Sequence, residues 1–332
     1  MKTNGFAVLL MAMLAVLSSC KKNGFEIDPN SVNLDVKIER FDKDFNNIDT
    51  VNISASLQSM RQKYGEMFDR YVVNVIGVGR EGDLSVNVSA FLNDSMYKEV
   101  YAECQRQYGD VSDIEDEVEL AMKYIKFYFP EKKIPRFGMH ISGFNQSIMA
   151  TKDMMSASID CYLGADYIPY QDIAYSYQIA KMTRNNVAMD LVYAYIYTEF
   201  GVAENGTLLQ SIIDNGKLLY LMNIVMPGRT DKDIMGYNDQ QYEWCVNNEK
   251  QMWNYLIEEK RLYNTSHLVI SKFVNPAPFT SEFPQESPGQ AVLWLGMRIV
   301  ESYMDNNKNI GLKELMAEKN AQKILEESNY KP

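Results

Sequence analysis

The feature that most limits what this chain can form is an apolar run near its N-terminus that ends just before a cysteine. Residues 1–20 read MKTNGFAVLLMAMLAVLSSC, and Lys2 precedes a twelve-residue apolar run from Phe6 to Leu17. A membrane-spanning helix needs about twenty such residues, so a permanent span is disfavoured. The order of charged, apolar and small residues instead predicts a secretory signal peptide over residues 1–19.

The tetrapeptide Leu17-Ser18-Ser19-Cys20 resembles a bacterial lipobox. In such signals the cysteine thiol is linked to diacylglycerol, and the cysteine becomes the lipidated first residue after cleavage. Acyl chains such as palmitate anchor stably when two or more are present, because each buried CH₂ contributes about 0.8 kcal/mol. We therefore predict lipidation at Cys20. A plain signal peptide with a chance cysteine is the alternative.

The residues that follow Cys20 indicate where in the cell envelope the protein is located. Lys21 stands where an aspartate would resemble a signal for inner-membrane retention, which favours the outer membrane. The stretch KKNG lacks the acidic cluster that resembles a surface-export signal, so we expect the body to face the periplasm. Residues 20–34 are interpreted as a lipidated tether, and residues 35–332 as a single domain.

Charge, histidine content and cysteine content exclude several classes of function. The chain has 33 Lys and Arg against 44 Asp and Glu, and the resulting net charge of −11 argues against a nucleic-acid partner. His140 and His267 are 127 residues apart, which excludes the HExxH zinc-protease motif. After Cys20, the three widely spaced cysteines at 104, 161 and 245 argue against a disulfide framework and are expected to be buried. No cofactor, metal site or catalytic residue is predicted.

The periodicity of apolar residues predicts a mostly helical α+β fold. Alternating patterns predict a strand that leads into a helical turn in VKIERFDKDF (36–45) and a second strand in RFGMHISGFNQ (136–146). His140 in the second strand is expected to be packed or at an edge, and His267 to face solvent. Helical spacing predicts helices at about 56–78 (with an apolar end), 93–108, 112–129, 173–200, 207–226, 242–257, 290–304 and 311–327.

The helix at 112–129 has the clearest start, stop and periodicity signals in the sequence. Ser112-Asp113-Ile114-Glu115 matches a capping box, and Pro130 ends the helix. Four residues at helical spacing are expected to form one buried stripe: Ile114, Val118, Met122 and Ile125. The acidic residues of the first turns allow a metal site, but a solvated helix start is favoured.

Two segments have unusual composition and supply the candidate binding residues. In MTRNNVAMDLVYAYIY (182–197), Asn186 and Asp190 are four residues apart and share one helix face. They fit either a buried polar network or a ligand site, and the network is favoured. The proline-rich loop PAPFTSEFPQESPG (276–289) carries Phe279 and is a candidate surface for docking a partner protein.

Long stretches of the chain resemble the gliding-motility lipoprotein GldB family of Bacteroidetes-type bacteria. They include IDCYLGADYIPY (159–170), MGYNDQQYEWCVNNEKQMWNYLIE (235–258) and NPAPFTSEFPQESPGQ (275–290). The resemblance implies an envelope lipoprotein associated with gliding machinery and its linked secretion apparatus, with the membrane and other envelope proteins as partners.

The order of strands and helices is also similar to a zincin-like group of zinc-dependent proteases. In that group the long helix carries HExxH, whereas residues 178–195 here contain no histidine. If the fold is shared, the metal site is gone. Two functions therefore stay open. The first is a non-enzymatic docking lipoprotein, and the alternative is a divergent metal-dependent or carboxylate hydrolase of the envelope.

Overall fold

A computed structural model describes residues 24–332 of the chain. The predicted signal peptide, the predicted lipidation site at Cys20 and the start of the tether lie outside the described residues. Within residues 24–332, none of the helices combines the length and the apolar character that a membrane span requires.

The structure contains a four-stranded sheet formed by β1 (Ile38–Arg40), β2 (Arg136–His140), β3 (Ile148–Ala150) and β4 (Met154–Ser158). The strand order is β1-β2-β4-β3. Strands β1, β2 and β4 run parallel, and β3 runs antiparallel to β4 at one edge. Every residue of β4 is buried, as expected for a strand that is covered on both faces. The two predicted strands are confirmed.

Helices make up most of the remaining chain, which confirms a mostly helical α+β fold. They are α1 (Phe41–Asn46), α2 (Ile53–Tyr64), α3 (Glu66–Arg70), α4 (Leu84–Asn93), α5 (Ser95–Gln107), α6 (Ser112–Tyr128), α7 (Ser176–Ile179), α8 (Val187–Phe200), α9 (Leu208–Val225), α10 (Asp231–Met235), α11 (Asp239–Glu258), α12 (His267–Val274), α13 (Ala291–Asn306), α14 (Leu312–Ala317) and α15 (Ala321–Ser328). A π-helical turn at Tyr71–Val75 follows α3, so the apolar run near residue 75 is helical.

Besides the region 56–78, which is interrupted at Gly65 between α2 and α3, two predicted helices are each divided in the structure. The region 173–200 is interrupted at Thr183, whose φ and ψ of −126° and 152° are extended, and only α8 forms a long helix there. The region 311–327 is interrupted at Glu318, which is also extended, with φ and ψ of −67° and 121°. Apolar spacing continues across both breaks, and periodicity alone therefore does not locate them.

The start of α6 differs from the capping box predicted for Ser112. Val111 is the N-cap, and no side chain caps the helix in the predicted way. Ser112 is already helical, and its backbone N–H donates to Asp110 Oδ1 at 3.0 Å. The capping prediction was therefore wrong. Ser112 does not cap the helix, and its own N–H is bonded by Asp110, two residues earlier. The predicted buried stripe of α6 is confirmed.

Two carboxylates of α6 are bonded to the segment that contains β1. Glu115 accepts the backbone N–H of Ile38, and Glu119 accepts that of Val36, each at 2.9 Å. In the first turns of the helix, Asp113 and Asp116 are exposed, as a solvated helix start requires, whereas Glu115 is bonded and partly buried.

Helices α9 and α13 cross at two glycines. A Cβ on Gly216 would overlap the backbone of Gly296, and a Cβ on Gly296 would overlap the carbonyl of Ile212. The absent side chains allow the two helix backbones to approach closely. Both helices are almost entirely buried, so this crossing forms the centre of the C-terminal half. All three cysteines of the described residues are free and buried, as predicted.

Candidate functional site

A cleft with a volume of about 620 Å³ lies beyond the carboxyl ends of β2 and β4. Its walls come from four parts of the chain that are far apart in sequence. They are the turns at 144–147 and 161–162, the segment 173–190, the segment 229–241, and both ends of the proline-rich loop. Asn186 and Asp190 both line the cleft, so the structure brings the two predicted residues of this helix to one site.

Asp190 lies in the first turn of α8 and is half-buried. Its Oδ2 accepts the hydroxyl proton of Tyr162 at 2.6 Å. Burial raises the pKa of the Asp190 carboxyl, while the bond from Tyr162 and the charge of Lys181 act in the opposite direction. A polar network was predicted around Asp190. The carboxylate has one direct hydrogen-bond donor, Tyr162, and it lies in the wall of a cleft.

Lys181 places an ammonium group in the same cleft. Burial lowers its pKa, and the nearby charge of Asp190 opposes that effect. Its side chain lies against Gly236, where a Cβ would come within 2.9 Å of Nζ. Gly236 has a φ of +62°, which favours glycine on backbone grounds as well. Lys181 Nζ has no ion pair with any residue between 24 and 332.

The second cation that lines the cleft is paired with a carboxylate of α6. The Nε and Nη2 atoms of Arg229 donate to the two carboxylate oxygens of Glu117 at 2.5 and 2.7 Å. Nη2 also donates to the carbonyl of Asn185 at 2.8 Å. Arg229 therefore joins the cleft wall to α6 and offers no free charge.

Carboxamides are the most numerous polar side chains in the cleft walls. There are eight of them: Asn145, Gln146, Gln178, Asn185, Asn186, Asn238, Gln241 and Gln290. Several use only one end of the amide inside the protein. Gln178 accepts the N–H of Tyr175 and Gln241 accepts that of Asn238, each at 3.0 Å, while Asn186 donates to the Lys181 carbonyl at 2.5 Å.

The proline-rich loop is confirmed as a loop between α12 and α13, and its two ends form one wall of the cleft. Thr280 Oγ1 donates to the Pro288 carbonyl at 2.8 Å, and Tyr237 donates to the Gly289 carbonyl at 3.0 Å. Phe279 is half-buried within this loop. Phe283 is the buried phenylalanine, and its ring packs against Trp244, Tyr255 and Phe273.

A second polar group, which we call the closed cluster, is buried beside the cleft and consists of His140, Ser156, Ser158 and Asp160. His140 Nδ1 lies 2.8 Å from Ser156 Oγ, and desolvation lowers the pKa of this histidine to about 3. Its Nε2 has no partner among the described residues. His140 is 0% exposed, which confirms a packed histidine, whereas His267 is exposed as predicted.

Asp160 organises the turn that forms one wall of the cleft. Its carboxylate accepts the backbone N–H groups of Ser142 and Phe144 at 3.1 and 2.7 Å, and the hydroxyl of Ser158. Burial raises the pKa of Asp160, and these three donors act against that effect. The carboxylate therefore fixes the backbone from which the turn at 144–147 enters the cleft.

The sequence did not single out Lys181, Tyr162 or Tyr237 as site residues. Tyr162 and Tyr237 do lie in the distinctive stretches 159–170 and 235–258, whereas Lys181 carries no local signal. Within residues 24–332, His, Cys, Asp and Glu side chains form no group of three or more that could hold a metal ion.

Comparison with known proteins gives one family and no individual relative. The family described as gliding motility protein GldB matches residues 22–332, which is nearly the whole chain. Neither the curated proteins nor the solved structures contain a match to the chain. The family is one of gliding-motility lipoproteins, which points to an envelope lipoprotein associated with the membrane and with protein partners. The match covers the sheet, the cleft and the proline-rich loop, and the chain belongs to the GldB family of gliding motility proteins.

Proposed function

We propose that this chain is an outer-membrane lipoprotein that serves gliding-motility and linked secretion machinery as a non-catalytic docking component. It is anchored through Cys20, and its folded body faces the periplasm. Membership in the GldB family supports the envelope location and the protein partners. The lipobox and the lysine at position 21 support the anchor and the choice of membrane.

The composition of the cleft walls carries the docking part of the proposal. Carboxamides donate and accept hydrogen bonds but do not ionise, so eight of them suit a surface that holds a ligand. The buried position of His140 keeps its imidazole from contact with anything in the cleft. A surface of this kind favours binding over proton transfer.

Anchoring is tested by the variant Cys20→Ala. The variant should remain unprocessed or soluble, and it should lose labelling by a clickable palmitate analogue, because no other residue supplies the lipobox thiol. Cys245→Ala is the matched control, since it removes a buried thiol and leaves Cys20 in place. Persistent labelling of Cys20→Ala at the outer membrane would refute the anchor.

Docking is tested at the proline-rich loop with Phe279→Ala. Phe279 is half-buried, so its loss should cost more than the about 0.5 kcal/mol of a surface substitution and less than the loss of a buried ring. Co-purification of envelope proteins from detergent-solubilised membranes should nevertheless weaken. Phe283→Ala is the contrasting variant, because a buried ring should cost about 3–5 kcal/mol. Unchanged co-purification with stable Phe279→Ala protein would remove this loop from the docking surface.

A carboxylate hydrolase is a second candidate because Asp190 is a cleft carboxyl with a raised pKa. Such groups can act as general acids or bases, and Tyr162 holds this one in place. The two functions differ in the purified full-length protein. Docking alone predicts no peptide cleavage and far less than one zinc per chain. Zinc that survives chelator dialysis, or cleavage that is abolished by Asp190→Asn, would favour the hydrolase.

A further inference from the structure

The cleft walls offer hydrogen-bonding groups that the protein itself leaves open. The amide N–H groups of Gln178 and Gln241 and the side-chain carbonyl of Asn186 have no partner among residues 24–332. An extended polypeptide carries a donor and an acceptor on every residue other than proline. The segment 173–190 thus offers both an open donor and an open acceptor, and the segment 229–241 offers a second donor. These are the two kinds of group that pair with a peptide backbone.

Apolar side chains are exposed where the segment 165–182 reaches the mouth of the cleft. Ile168 is 75% exposed, Ile173 is 52% exposed, and Tyr175 is 73% exposed. Ile173 itself lines the cleft, and Tyr175 stacks on the cleft residue Tyr177 with ring centroids 6.1 Å apart. Exposed apolar groups beside a polar cleft are typical of a protein interaction site. A small metabolite inside the cleft would leave Ile168 and Tyr175 uncovered.

The charges of the cleft define one further requirement on its occupant. Arg229 is neutralised by Glu117, while the ammonium of Lys181 is without an ion pair in the described part of the chain. Asp190 already accepts a hydrogen bond from the Tyr162 hydroxyl, and Asp233, the other carboxylate in the walls, accepts hydrogen bonds from Thr230. Lys181 is exposed, and a carboxylate brought to it would form a charge-assisted hydrogen bond.

We propose that the cleft binds an extended segment of a partner protein, and that an aspartate or glutamate side chain of this segment pairs with Lys181. The inference rests on the proposed docking function and specifies its ligand. Because the chain as a whole carries a charge of −11, an acidic segment depends on this one local cation.

The test uses the full-length protein, purified from membranes in detergent, and a phage-displayed library of random peptides. Selected peptides should be enriched in Asp or Glu. A synthetic peptide from the selection and its Glu→Gln or Asp→Asn form are then compared by fluorescence anisotropy. The isosteric form should bind about tenfold more weakly, because it keeps the shape and loses the charge.

Protein variants distinguish the contribution of the Lys181 ammonium to peptide affinity from that of the general surface charge. Lys181→Met should weaken binding of the acidic peptide about tenfold, and Lys181→Arg should retain most of it. Lys232→Met is the matched control, since Lys232 lies in the wall segment 229–241 without lining the cleft and already pairs with Asp239 at 2.5 Å. Its affinity should equal that of the wild type. Thermal melting verifies that each variant is folded.

The inference is overturned if the library yields no binder, if selected peptides lack acidic residues, or if Lys181→Met binds them as the wild type does. Binding of N-acetylated oligosaccharides in place of peptides would overturn it as well. These results leave the proposed docking function separately testable. If envelope proteins still co-purify with Lys181→Met while Phe279→Ala loses them, docking is retained and the role of the cleft is rejected.

Discussion

The closed cluster and the cleft are adjacent polar regions, and they differ in what their polar groups contact. The short helix Ile159–Tyr162 belongs to both, because Asp160 bonds to the backbone of the neighbouring turn and Tyr162 bonds to Asp190 in the cleft. In the closed cluster, Asp160 is saturated by donors from its own surroundings. In the cleft, Lys181 and several amides keep an open end. Polar groups satisfied within the chain serve folding, and the open groups that line the cleft are available to a ligand. The unpartnered Nε2 of His140 is buried in the closed cluster and is not available in this way.

The largest expected effect is that of Asp160→Ala, which tests whether the closed cluster supports the fold. The substitution leaves the buried N–H groups of Ser142 and Phe144 without an acceptor. An unsatisfied buried donor costs about 1–3 kcal/mol, so the free energy of unfolding should fall by about 3 kcal/mol in denaturant titrations. Asp160→Asn keeps one acceptor oxygen and should lose less. A loss below about 1 kcal/mol for Asp160→Ala would show that the closed cluster does not support the fold.

Acid should destabilise the protein through His140. The folded state holds this pKa at about 3 against an ordinary value of 6.5, so between these two values the unfolded chain binds a proton that the folded chain does not. Stability therefore falls as the pH is lowered below 6.5, by up to about 1.4 kcal/mol per pH unit.

The acid effect is measured as the slope of unfolding free energy against pH between about pH 5 and 6.5, above the ordinary range of carboxylates. Buried carboxyls with raised pKa values, such as Asp160 and Asp190, contribute a slope of the opposite sign, so the contribution of His140 is read from the difference between wild type and variant. His140→Asn should flatten this slope, while His267→Asn, at an exposed position, should leave it as it is. An unchanged slope in His140→Asn would assign the acid response to another group.

The smallest expected effect is that of Asp190→Asn. Burial raises the pKa of Asp190, so the folded state disfavours its ionised form and stability is lost as the pH rises from about 4 through the raised value. Asparagine cannot ionise. The variant should therefore equal the wild type below about pH 4 and be slightly more stable at neutral pH, by less than about 1 kcal/mol. Lower stability at neutral pH would place Asp190 with the closed cluster.

Much of the fold could be predicted from the sequence because its elements are marked locally. The alternation in 36–41 and 136–141 gives strands, and the stripe of α6 gives a buried helix face. The cap of α11 is local in the same way, since Asn238 accepts the N–H of Gln241 three residues later. These features depend on residues within one or two turns of each other.

The cleft could be predicted only in part because its walls meet through long-range contacts. Asn186 and Asp190 were identified by polar residues within an apolar helix, which is a local signal. Lys181 has no such signal. Its surroundings depend on Gly236, which lies in another segment, and on the pairing of Arg229 with Glu117. The sequence likewise does not show which phenylalanine of the proline-rich loop packs inward. Phe283 does, and Phe279 remains the candidate for docking.

The glycine crossing of α9 and α13 has a consequence for how the cleft can open. Helix α9 runs toward the wall that contains Arg229, and α13 begins directly after the cleft residue Gln290. Since Gly216 and Gly296 hold these helices in backbone contact, the two walls attached to them are held in one relative position. Arg229 also donates to the Asn185 carbonyl, which ties the segment 173–190 to the same walls. A larger side chain at Gly216 or Gly296 would therefore change how far the cleft is open, although neither glycine lines it.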